Sequence, residues 1–153
     1  MRLILALFIG ITLSAPALAE IKTPYSGTQV IETGKPFTDY LNALEGAIRK
    51  NKMGIVGRAC ATCGAKAIGI TIPGNRVIMI FNPRFAVRML KASTAAGIEA
   101  PLRLYVTENV DGSARLTYRL PSHTFAPYNV ADLDKMAAEL DKIFATIIKQ
   151  AGS

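Results

Sequence analysis

Between Leu102 and Leu120 apolar and polar residues alternate on both sides of Asp111-Gly112. Leu102, Leu104 and Val106, then Ala114, Leu116, Tyr118 and Leu120, share one set of alternate positions. Arg103, Tyr105, Thr107, Arg115, Thr117 and Arg119 share the other. A period of two around an Asp-Gly turn predicts a β-hairpin with one face on a core, whereas a helix, with a period of 3.6, would mix the two sets. The outward face is then positively charged and partly amphipathic, and it is either solvated or packed against a second copy.

The rest of the chain supplies strands to extend this hairpin and helices to cover it. Gln29–Thr33, Met53–Ala59 and Ala67–Ile72 read as strands. After the turn signal Pro73-Gly74-Asn75, Arg76–Phe81 is apolar almost throughout, as expected of a strand buried on both faces. Three amphipathic helices are predicted. The first follows Pro36 and ends near Asn51, with Phe37, Leu41, Leu44 and Ile48 at helical spacing. The second opens on Asn82-Pro83 and runs to about Ala95, with Arg84, Arg88 and Lys91 on one face and Phe85, Met89 and Leu90 on another. The third is capped by Asn129 and buries Leu133, Met136, Ala137, Leu140, Ile143, Phe144 and Ile147. Residues 121–129 read as a proline-flanked loop. This order predicts one two-layer α+β domain over residues 29–150: a mostly antiparallel sheet of about five strands with three helices on one face.

The N-terminal end carries a different signal. Arg2 precedes an uncharged apolar run from Leu3 to Leu13, then Pro16 and Ala17-Leu18-Ala19. That layout is a secretory signal peptide with cleavage near Ala19, and the run is short of the ~20 residues a bilayer requires. The expected product is exported, to the periplasm or beyond, with a flexible lead-in over residues 20–28 and no integral membrane contact. Removing Arg2 from 18 basic residues leaves 17 against 11 acidic ones, a net charge of +6. The basic residues are spread from Lys22 to Lys149, so the charge suits a solvated surface or an acidic partner better than nucleic acid.

Candidate chemistry is sparse. Cys60 and Cys63 are the only cysteines. On a continuing strand their Cα atoms would lie ~10 Å apart, beyond the ~7 Å limit for a disulfide, so a joint role requires a turn after Cys60. In an oxidising compartment the pair can be a disulfide staple, a redox-active dithiol, a soft-metal site such as Cu(I), or unpaired thiols. The segment after Cys63 is too short for a good helix, no tryptophan precedes the pair, and the setting is not the βαβ unit of thioredoxin-like sites. Gly64 excludes haem attachment, and His123 alone cannot complete a zinc set. His123, beside Ser122 and Thr124, reads as a loop residue. Asp132, Asp134, Glu139 and Asp141 read as solvated charge, and Met53, Met79, Met89 and Met136 as core filling. No catalytic or metal-binding residues and no cofactor are assigned. The face bearing Arg103, Tyr105, Arg115 and Arg119, extended by Arg84 and Arg88, is the candidate binding surface for an anionic small molecule or acidic protein.

Residues 81–109, with Asn82-Pro83, Ala86, Met89-Leu90, Ala100-Pro101-Leu102-Arg103 and Glu108, resemble the family known as domain of unknown function 302. The resemblance spans about residues 29–148. It implies a compact α+β fold, often a homodimer, with no established activity; the chain departs from the pattern at Ala100 and in its cysteine pair. The combined expectation is an exported, non-enzymatic binding or accessory domain acting as a homodimer, with a thiol-active protein of envelope redox or copper handling as the alternative.

Overall fold

A computed structural model describes Thr23 and residues 25–153; the expected signal peptide and residues 20–22 and 24 of the lead-in lie outside the described residues. The chain forms β1 (Thr28–Pro36), α1 (Phe37–Lys50), β2 (Gly54–Cys60), α2 (Ala61–Ala67), β3 (Asn75–Phe81), α3 (Pro83–Ala92), β4 (Leu102–Glu108), β5 (Ser113–Arg119), α4 (Pro121–Phe125) and α5 (Ala131–Gly152). The five strands make one antiparallel sheet in the order β1-β5-β4-β3-β2, and the fold is α+β.

The alternating stretch forms the predicted hairpin. Leu104, Val106, Ala114 and Leu116 are fully buried, and Gly112 takes a φ of 81°, where lack of a Cβ makes the turn strain-free. Ile78 and Ile80 on β3 continue this inner face. Leu44 and Ile48 on α1, Met89 on α3, Phe125 on α4 and Leu133, Leu140, Phe144 and Ile147 on α5 close over it. Among the described residues, no helix is long and apolar enough to cross a membrane.

Several expectations need correction. Residues 67–72 are not a strand: the turn after Cys60 begins α2, and residues 70–74 lead irregularly into β3. β3 is buried on one face only, since Val77 and Met79 turn to the open side and stay partly exposed. Its apolar run thus serves a buried core face and a partly exposed open face. Residues 121–129 contain α4 and a 3-10 turn rather than a loop. Asn129 does not cap α5; it adopts a left-handed φ of 53° that ends the preceding turn, and Val130 stands at the cap without a side-chain bond. Leu90 is exposed rather than packed inward, and α3 ends at Ala92, short of Ala95, with a 3-10 turn following.

Candidate functional site

The register builds the open sheet face in three rows. In the middle row Ala59 pairs with Val77, Val77 with Tyr105, Tyr105 with Thr117, and Thr117 with Val30. On one side lies the row Asn75, Thr107, Arg115 and Glu32. On the other, Gly57 pairs with Met79, Met79 with Arg103, and Thr28 with Arg119. Leu104 pairs with Tyr118, so Arg103, one residue earlier, stands across from Arg119. Two like charges facing each other on neighbouring strands are destabilising unless an anion joins them.

The arginines differ in their engagement. Arg115 is ion-paired with Glu32, so its charge is largely spoken for. Arg119 lies 5.2 Å from the centre of the Tyr25 ring, a cation–π contact. Among the described residues neither Arg103 nor Arg119 has a carboxylate within 4.0 Å. Glu99 lines a small hollow beside the pair, but its Oε1 accepts from Tyr128 Oη at 3.1 Å. Tyr25, Thr28, Val77, Arg103, Tyr105 and Arg119 line a shallow depression of about 360 Å³. Its phenol, Tyr105 Oη, is fixed by Asn75 Nδ2, which donates at 2.6 Å. Arg103, Tyr105, Arg115 and Arg119 thus share one face, as the alternation required. Arg84 and Arg88 do not join them: they sit on α3 in the helix layer, where Arg88 grips Glu139 with two bonds of 2.7 Å.

The second candidate site is the cysteine stretch. The chain turns at Cys60, bringing the Cα atoms of Cys60 and Cys63 to 5.2 Å with their sulfurs in bonding contact. The pair opens α2, a helix the sequence reading did not expect there, and Cys60 Sγ accepts from the Cys63 N–H at 3.0 Å. Strand, Cys-x-x-Cys and helix thus follow one another, although β2 and β3 are antiparallel and no βαβ unit forms. Thr62 Oγ1 donates to the Pro73 carbonyl at 3.0 Å and ties the turn to the entrance of β3. Cys63 is exposed and Cys60 half-buried. Arg76 pairs with Cys60 across β2 and β3 and brings its Nη2 to 3.9 Å from Cys63 Sγ. Its buried Nε has no hydrogen-bond partner among the described residues. Sequence reading missed Arg76, because only the β2–β3 register sets it beside the sulfurs.

Other candidates resolve into structure. The His123 ring packs on Gly27, where an added Cβ would come within 2.2 Å of it. Asp141 accepts from the Ser122 N–H at 3.0 Å, and Glu139 holds Arg88, so neither is merely solvated. Met53, Met89 and Met136 line an apolar crevice of about 30 Å³, room for roughly one water; Met79 instead lies on the open face. Glu45 carries the strongest carboxylate perturbation: hydrogen bonds from Arg58 first, and from Arg49, outweigh partial burial and hold it at about 2. This is an α1–β2 clasp, and its Arg58 stands two residues before Cys60 on the same side of β2. Among the described residues no three His, Cys, Asp or Glu side chains cluster to hold a metal.

The family model "Domain of unknown function DUF302" matches residues 29–151. Among solved structures, the crystal structure of an uncharacterised conserved DUF302 protein from Bacillus stearothermophilus aligns with a TM-score of 0.73 at 17% identity, covering 82% of this chain and 98% of that one. At that identity the likeness concerns the fold. No curated protein matches the chain.

Proposed function

The chain belongs to the DUF302 family, and we propose that it is an exported, non-enzymatic accessory domain that binds an anionic group on its open sheet face. Arg103 and Arg119 grip the anion, a carboxylate or phosphate of a small molecule or acidic protein partner. Tyr105 shapes the floor of the depression, and Arg115, neutralised by Glu32, adds only to the surrounding field. The observation that carries this reading is the pair of arginines opposed on adjacent strands without a carboxylate of their own. A guanidinium offers planar, forked donors suited to such oxygens.

Inorganic phosphate and citrate are suitable probes, read by thermal shift and calorimetry. Both should raise the Tm of the unaltered protein and lose that effect in Arg103→Ala/Arg119→Ala. Arg119→Glu should also lose it, while forming a cross-strand pair with Arg103 that leaves the unliganded protein at least as stable. Equal anion effects in all three proteins would sink the reading.

A homodimer is the second proposal, favoured by the row of Ala59, Val77, Tyr105, Thr117 and Val30. Two copies can set these rows face to face, with the arginines at the margin of the contact.

A further inference from the structure

We propose that Cys60 and Cys63 form a disulfide that exchanges with protein dithiols and disulfides, with Cys63 the sulfur attacked and Cys60 the first to leave. This is independent of the anion site, which lies on the opposite face of the sheet. A staple is poorly served here, because closing a four-residue loop restricts the unfolded chain least. The surroundings instead suit each stage of an exchange.

Cys63 is the exposed member of the pair. A partner thiolate attacks its Sγ; the new sulfur–sulfur bond forms there as the Cys60–Cys63 bond breaks, and the electron pair goes to Cys60 Sγ. That leaving thiolate already accepts the Cys63 N–H at 3.0 Å. The partner's second thiolate then attacks its own sulfur in the mixed disulfide, and Cys63 leaves with the electron pair. Its Sγ lies 3.9 Å from Arg76 Nη2, a guanidinium whose buried Nε has no hydrogen-bond partner among the described residues and whose backbone pairs with Cys60 across β2 and β3. The partner dithiol is oxidised to a disulfide by two electrons, Cys60 and Cys63 are reduced, and the partner's two protons pass to them or to solvent. With a partner disulfide the same steps run in reverse. Each departing sulfur therefore has its own stabilising group, in the order in which it is needed. Arg76 acts through Cys63 and is a positioning residue.

The test uses the folded, oxidised protein with reduced glutathione as probe, acid quenching and mass spectrometry. Reduction without unfolding is expected, through a transient glutathione adduct on Cys63. Alkylation of the single thiol in Cys60→Ser, followed against pH, should show its midpoint rise by about one unit when Arg76→Met is added; a merely structural arginine would not move it. Three results overturn the proposal: a disulfide that glutathione reduces only after urea unfolds the protein, an adduct on Cys60, or an unchanged alkylation midpoint. Circular dichroism of each variant confirms that the fold persists.

Discussion

Tyr40 shows how a single side chain can sit in the core at a cost. It is 1% exposed, and its buried Oη has no hydrogen-bond partner among the described residues. Burial first, and the neighbouring Tyr118 second, push its pKa up to about 12. The folded protein therefore keeps this proton after an unfolded tyrosine has lost it. The associated stability is whole below about pH 10 and is lost as pH rises towards 12. Tyr40→Phe removes both the orphan hydroxyl and that alkaline loss. Urea unfolding at pH 7 should find the variant unchanged or up to about 1 kcal/mol more stable, and its stability should fall less between pH 10 and 12. A loss of more than 1 kcal/mol at pH 7 would mean the hydroxyl has a partner in solution.

Elements read well from sequence where one physical signal dominated and poorly where two competed. The β4–β5 hairpin and α5 carry clean periods of two and 3.6, and both formed with the expected inward residues. α2 was missed because seven residues ending in Gly64-Ala65-Lys66-Ala67 have little intrinsic helicity; the Cys60–Cys63 contact and the Thr62–Pro73 bond hold the turn from outside it. The β3 run looked doubly buried because composition cannot distinguish a core face from an open apolar face. Neighbouring elements also meet through a glycine: at Gly74 an added Cβ would lie 2.6 Å from the Phe37 ring, while the Gly74 N–H donates to Glu108 at 2.6 Å. Gly74→Ala must push α1 from the β3 entrance or break that bond. The expected loss is about 1–3 kcal/mol, read as a lower urea midpoint with an unchanged slope.

At the scale of the whole molecule, the two candidate sites lie on different faces, and the sequence disclosed them unequally. Arg103 and Arg119 follow from the hairpin alone, since both flank one turn. Arg76 and Cys60 are partners across an excursion, residues 61–74, that leaves the sheet, and periodicity does not carry through it. Dimerisation also belongs to this scale. If two copies pair their open faces, Val77→Lys puts a charge in the middle row of the contact and should convert a dimer to a monomer in sedimentation velocity, leaving the fold intact by circular dichroism. A wild-type protein that sediments as a monomer at high concentration would refute the dimer and leave only the anion proposal for this face. The hairpin has one further consequence. Arg103 and Arg119 grow from adjacent strands locked together by backbone bonds, so the distance between their stems is fixed before any anion arrives. Under the anion-binding proposal, capture would require only that two side chains settle, with little ordering of the chain to oppose it, and the sheet would act as a ruler that selects anions by the span of their oxygens.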